Sequence, residues 1–187
     1  MKNKEEKTKI TPEELGKVLC AFSYNMANKY INDKETLKVL GIEKNAKNIL
    51  LKNYYFLQII NILFFLTILQ IDWLFKYEKL KNRILDSMHE AYYKIMNLDE
   101  AGIIRTKVLF AKRYKEYMDA TKEKRGPNWL WPLPHRVLNN LRQEETEDSL
   151  AMMELSSFLS SITERISDLL KNQYKIVNSV NWWQRLL

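Results

Sequence analysis

The chain has 187 residues, a formal net charge of +7 and a single cysteine, Cys20. One cysteine excludes an internal disulfide and any zinc site built on several thiolates. Four glycines and four prolines lie far below the usual ~7% and ~5% of residues, which argues against a loop-rich, all-β or disordered chain. The composition therefore predicts a single all-α domain.

The positive charge is concentrated in one segment. Residues 101–142 contain ten Lys and Arg against three Asp and Glu, whereas residues 143–187 contain four against seven. Such a basic segment either attracts a polyanion or is neutralised by the acidic segment across an internal interface. Both interpretations stay open at this point.

The first two helices have clear boundary signals. Thr11-Pro12-Glu13-Glu14 predicts a helix start, because a threonine cap followed three residues later by glutamate forms a capping box. Apolar residues then recur at spacings of three and four up to a predicted end near residues 30–32. A second, short helix is expected from Asp33 to Gly41.

Residues 1–10 carry charges without a following apolar run. We therefore interpret them as a short solvated lead-in rather than a secretory signal. Together with the lone thiol, this predicts a cytoplasmic protein. The frequent Lys, Asn and Ile further indicate an AT-rich microbial genome.

A highly apolar segment, residues 54–75, is predicted to be the central helix. Residues 43–98 contain no glycine or proline, and one helix of that length would extend about 84 Å, so we expect a break near residues 71–76. Nineteen uncharged residues precede Asp72, which also suits a membrane span. Because Gln58 and other polar residues interrupt this segment, we favour a buried bundle helix and keep the membrane span as an alternative.

Three further helices are predicted beyond this segment, the first of them an amphipathic helix over residues 77–98. Asp99 caps a helix that runs to about Lys122, and residues 126–134 are expected to form an irregular loop. A last long helix is predicted over about 146–178. Its apolar residues follow a heptad-type seam flanked by small serines: Met152, Leu155, Leu159, Ile162, Ile166, Leu169, Ile176 and Val180.

The nearest approach to a chemical site is formed by Asp86, His89 and Glu90, which share one helix face. A dinuclear carboxylate centre also needs a matching Glu-x-x-His on a second helix, and the sequence has none. It also lacks a glycine-rich phosphate loop and a Gly-x-Ser-x-Gly elbow. We therefore expect no metal, no catalytic residue and no cofactor, and nothing in the sequence argues for an enzyme.

The basic segment provides candidate nucleic-acid contacts, since cations bind phosphates and neighbouring aromatic rings can stack on bases. The alternative is a solvated helix face whose tyrosines, Tyr114 and Tyr117, belong to the core. The candidate contacts are Arg105, Lys112, Arg113, Lys115, Lys122, Lys124 and Arg125.

Two aromatic clusters are candidate protein-binding residues, because tryptophan is enriched at interface hot spots. They could equally fasten a loop or tail to its own bundle. The clusters are Trp129 and Trp131 in the expected loop, and Trp182, Trp183, Leu186 and Leu187 at the C-terminus.

The sequence thus predicts an all-α bundle of about five to seven helices over residues 11–180, followed by a tail at 181–187. We expect a non-enzymatic interaction or scaffold protein that binds another protein or a second copy of itself. A nucleic-acid-associated subunit that uses residues 101–142 is the first alternative. A protein attached to a membrane through residues 54–75 is the second. No small-molecule substrate is implied.

Overall fold

The computed structural model describes residues 7–43, 48–122, 132–145 and 147–177. Seven α-helices lie within these residues, which confirms the predicted all-α bundle. The elements are β1 (Thr8–Ile10), α1 (Pro12–Asn32), α2 (Lys34–Val39), α3 (Ile49–Leu74), α4 (Glu78–Ile95), α5 (Glu100–Lys122), α6 (Pro132–Arg142), α7 (Ser149–Asp168), a π-helical turn (Leu169–Gln173) and β2 (Tyr174–Ile176).

Local side-chain caps set the starts of five helices, with Asn48 capping α3 and Asp148 capping α7. Thr11 accepts a hydrogen bond from the backbone N–H of Glu14, whose carboxylate accepts one from the Thr11 N–H, so the predicted capping box is present. Asp33 caps α2. At the start of α5, the Asp99 carboxylate accepts a hydrogen bond of 2.7 Å from the Gly102 N–H. Capping is decided within four residues, and the boundaries at Thr11, Asp33 and Asp99 were accordingly predicted correctly.

Helix α3 lies at the centre of the bundle and packs against α1, α4, α5, α6 and α7. It is long and apolar enough to cross a membrane, yet 67% of its most apolar window is buried by the other helices. Its polar side chains Gln58, Asn61 and Thr67 are also buried. Asn61 and Thr67 satisfy their donors on carbonyls one turn earlier in the same helix. The predicted break is confirmed, since α3 ends at Leu74 and α4 begins at Glu78.

Helices α1 and α4 form the most extensive helix pair in the described residues. Gly16 of α1 faces the α4 backbone, where a β-carbon would lie 2.8 Å from Ser87 Cβ and 2.9 Å from the Met88 nitrogen. Glu13 adds polar contacts: its carboxylate accepts two hydrogen bonds from Arg83, at 2.7 and 3.0 Å, and its carbonyl accepts one from Ser87.

Both ends of the described chain differ from the sequence prediction. Residues 8–10 of the expected lead-in form β1, which pairs in parallel with β2 so that Lys9 lies opposite Lys175, and residues 1–6 lie outside the described residues. The last helix does not continue to residue 178, because its final turn widens and the chain enters β2. Strand pairing supplies backbone partners there, as the Val177 N–H shows by donating to the Ile10 carbonyl at 2.9 Å.

The predicted loop 126–134 also needs correction at its C-terminal end. Pro132 and Pro134 lie in the first turn of α6, where the N–H groups have no intrahelical acceptor and proline therefore costs no hydrogen bond. The remainder of that loop falls outside the described residues. The heptad seam is confirmed along α7, where four of its members are buried together with Ala151: Leu155, Leu159, Ile162 and Ile166.

Candidate functional site

The Asp86–His89–Glu90 cluster lies in a cleft of about 340 Å³ between α4 and α5. His89 Nδ1 is 2.8 Å from the Leu85 carbonyl, and Nε2 is 3.0 Å from the Tyr114 hydroxyl. Because a carbonyl only accepts, Nδ1 carries the proton and Nε2 of the neutral ring accepts from tyrosine. Both ring nitrogens are therefore occupied.

The pKa shifts in this cleft do not favour acid–base catalysis. Burial lowers the pKa of His89 below its usual 6.5, and burial raises the pKa of Tyr114 well above 10. Neither shift brings the group closer to neutral pH, where a general acid or base works best. Nor do the described residues contain a group of three or more His, Cys, Asp or Glu side chains arranged to hold a metal ion.

The basic segment divides between an exposed surface and an internal network. The α5 cationic surface consists of exposed side chains spread over about 26 Å of helix: Arg105, Lys107, Lys112, Lys115 and Lys122. Tyr114 packs inside against His89 and Phe65, and Tyr117 is fully buried. The tyrosines thus belong to the core, and no base can stack on them.

Arg113 is not available as a nucleic-acid contact, contrary to its place among the candidates. Its side chain is only 12% exposed and donates to Glu116 at 2.7 Å and to Asn140 at 2.6 Å. The Tyr54 hydroxyl donates to the Asn140 carbonyl in the same place. The arginine therefore joins α5 to α6, and its charge is balanced by Glu116 on the same helix rather than by the acidic segment 143–187.

The remaining candidates lie outside the described residues. They are Lys124, Arg125, Trp129, Trp131, Trp182, Trp183, Leu186 and Leu187.

The structure reveals two grooves, one on each side of α7, that the sequence did not predict. Ser157 and Ser161 border a groove between α2 and α7, whereas Ser156 and Ser160 border another beside α3. Each encloses about 360 Å³. The small serines leave open space on both flanks of the buried seam.

The groove between α2 and α7, called here the α2–α7 groove, has an apolar interior. Val39 on one wall is 37% exposed. The rings of Tyr30 and Phe158 pack edge-to-face with their centroids 4.2 Å apart. Buried aliphatic side chains form the floor: Leu40, Ile59, Ile62, Val137, Leu141 and Leu155. Along α7 the groove extends from Glu154 to Ser161, about 10 Å or two helical turns.

The rim of the α2–α7 groove is acidic. Asp33, Glu35 and Glu154 line it, and none of its lining residues is Lys, Arg or His. The Asp33 carboxylate accepts hydrogen bonds from the Thr36 side chain and backbone, which lower its pKa and keep it ionised. The groove thus combines an apolar interior with a negatively charged rim.

No protein-family model, curated protein or solved structure is significantly similar to this chain. The geometry of these surfaces therefore carries the functional argument alone.

Sequence reasoning missed the α2–α7 groove because its walls come from five separate parts of the chain. One signal was present in the serines beside the seam, at positions 157 and 161. That signal indicates a small-residue flank but does not show whether another helix fills it.

Proposed function

We propose that this protein is a non-enzymatic interaction module that binds a helical segment of a partner polypeptide in the α2–α7 groove. The supporting observation is the apolar interior of that groove, which stays open over two turns of α7 among the residues that the structure describes. An amphipathic helix docks through anchors at positions i, i+3 or i+4, and i+7, which also cover two turns. The groove is thus long enough for one such face.

This groove is favoured over its neighbour beside α3 for a structural reason. The neighbouring groove is lined by Thr121 and Leu133, which flank the segment 123–131 outside the described residues. The lining of the α2–α7 groove includes no residue that borders that segment. Both walls of the α2–α7 groove are thus formed by residues that do not adjoin this segment.

A peptide-display selection tests this proposal. Peptides selected from a random helical library are measured by fluorescence anisotropy against the wild-type protein and two double variants. Ser157→Leu with Ser161→Leu fills the α2–α7 groove, whereas Ser156→Leu with Ser160→Leu makes the same change on the opposite flank of α7. We expect the first variant to lose binding and the second to retain it.

Both variants must first show wild-type thermal melting, because leucine at a serine position can disturb packing. Equal binding by all three proteins would contradict the proposed site. A failure of the selection to yield any peptide would contradict the proposed function. Light scattering shows whether a second copy of the chain occupies the groove instead.

Polyanion binding by the α5 cationic surface is the second candidate function. Five exposed cations on one helix support it, while the interior position of the tyrosines and Arg113 limits it to phosphate contacts. Lys112→Ala with Lys115→Ala should weaken retardation of a DNA fragment and reduce the slope of log affinity against log salt by about two. The control is Lys79→Ala with Lys94→Ala, which removes two exposed lysines from α4.

A further inference from the structure

The charge of the groove rim indicates which helical segment fits. Asp33, Glu35 and Glu154 line the opening, and the first two stand opposite α7. Within the described residues neither Glu35 nor Glu154 forms an ion pair. Their negative charge is therefore available to a partner.

Lys34 and Lys38 flank Glu35 on α2 but do not line the groove, and the other cations near the rim compensate its negative charge only in part. The positive charge of Lys29 helps to lower the pKa of Asp33, and that of Arg165 partly offsets the burial that raises the pKa of Tyr30. Both cations therefore lie towards the same end of the groove. Arg142 is engaged with the Leu40 carbonyl and with Asp148. Among the described residues no cation lines the groove between Glu35 on α2 and Glu154 on α7, so the charge of its rim stays negative.

We propose that the α2–α7 groove selects a cationic amphipathic helix, with aliphatic anchors in the apolar interior and Lys or Arg side chains on the rim carboxylates. This proposal rests on the proposed function, since it specifies the partner of the same groove. Charge complementarity at an exposed rim contributes mainly to selectivity and to the rate of association. An acidic helix of identical apolar face is rejected because it places like charges together.

Three synthetic peptides test this selectivity. Each has the same leucine stripe at i, i+4 and i+7, and the flanking positions are all Lys, all Gln or all Glu. We expect the Lys peptide to bind about threefold to tenfold more tightly than the Gln peptide, as two exposed charge pairs allow. The Glu peptide should bind most weakly, and added salt should reduce these differences.

Charge-reversal variants identify the carboxylates responsible. Glu35→Lys with Glu154→Lys should reverse the order of the three peptides, and Glu35→Gln with Glu154→Gln should bring their affinities together. The control is Glu90→Lys with Glu100→Lys, which makes the same change in net charge at exposed positions away from the groove. It should leave the order intact.

The outcomes separate this proposal from the one on which it rests. If all three peptides bind equally and Ser157→Leu with Ser161→Leu abolishes binding, the groove binds helices but the charge selectivity is wrong. If the Lys peptide binds equally well to the groove-filled protein, both proposals fail. If the control variant reverses the order as well, net charge rather than the rim determines selectivity.

Discussion

Gly16 of α1 lies directly against the backbone of Ile84 on α4, and no side chain separates the two helices there. The groups that a β-carbon would meet include the Ile84 carbonyl and the Met88 nitrogen, both of them main-chain atoms. Backbone cannot move aside as a flexible side chain can. The close approach of α1 and α4 therefore requires glycine at this position.

Gly16→Ala should consequently destabilise the protein although alanine is the better helix former. Forcing a methyl group into a closed contact costs about 1–3 kcal/mol, and each kcal/mol lowers Tm by about 2–4 °C in a chain of this length. Gly102→Ala is the control, since its β-carbon would meet only side-chain atoms of Leu98 and Asp99. Thermal melting followed by circular dichroism measures both, and equal stability of the two variants would contradict the close contact.

Arg113→Ala should lower stability more than removal of its neighbour Lys112. The alanine removes the donor shared by the half-buried Glu116 and the Asn140 Oδ1, and Glu116 keeps only the longer hydrogen bond from Asn140 Nδ2, at 3.2 Å. An unsatisfied buried polar group costs about 1–3 kcal/mol, whereas Lys112→Ala changes an exposed side chain and should stay within about 0.5 kcal/mol. Urea denaturation measures both free energies of unfolding. An exposed, phosphate-binding Arg113 would instead behave like Lys112.

His89 should make the folded state sensitive to mild acid. Burial lowers its folded-state pKa, and this effect outweighs the opposite effects of the Leu85 carbonyl and Asp86. The unfolded chain therefore takes up the proton first as the pH falls below 6.5, and the free energy of unfolding decreases until the lower folded-state pKa is passed.

The measurement is Tm between pH 7.5 and 5, for wild type and for His89→Gln. The variant should flatten this part of the profile, and His135→Gln shows how much of the slope arises at the other histidine. A wild-type Tm that rises as the pH falls through this range would contradict the assigned direction. Losses below pH 4.5 belong to carboxylates such as Glu13, whose hydrogen bond to Arg83 lowers its pKa.

Helix α3 should not anchor the protein in a bilayer. Its apolar residues are covered by neighbouring helices, and its buried Gln58 and Asn61 would face lipid if the bundle opened around it. We expect recovery in the supernatant after cell lysis without detergent. Recovery only in a membrane fraction that resists high salt would support the membrane-span alternative.

The C-terminal tail is expected to serve association rather than folding. Exposed apolar surface costs roughly 25 cal/mol per Å², so Trp182, Trp183, Leu186 and Leu187 require some cover. Truncation after Val180 keeps β2 and should leave Tm nearly unchanged, while light scattering or pull-down shows a loss of oligomer or partner. Truncation after Gln173 removes β2 as well and should lower Tm. A large fall in Tm after the first truncation, with association unchanged, would contradict this role.

The features predicted from sequence are those decided by neighbouring residues. Thr11, Asp33 and Asp99 cap helices within four residues, and the apolar character of α3 is a property of one continuous segment. The burial of Tyr117 followed from its position on the apolar face of α5. In each case the stabilising contacts join residues whose spacing along one helix already determines that they lie together.

The features that were missed depend on residues far apart in the chain. Arg113 is a basic residue of α5 like the exposed cations beside it. Only the approach of Asn140 from α6 makes its side chain internal. The α2–α7 groove likewise exists only after α2, α3, α6 and α7 have assembled. Periodicity does not encode which faces remain uncovered.

The pairing of β1 with β2 has a consequence for the order of folding. Thr8 and Tyr174 are register partners at opposite ends of the described chain. Closing a flexible loop of that length costs about 4–5 kcal/mol in chain entropy, more than three pairs of strand residues return. The strands therefore join only after the helices have brought the two ends together, and they separate first when the protein begins to unfold.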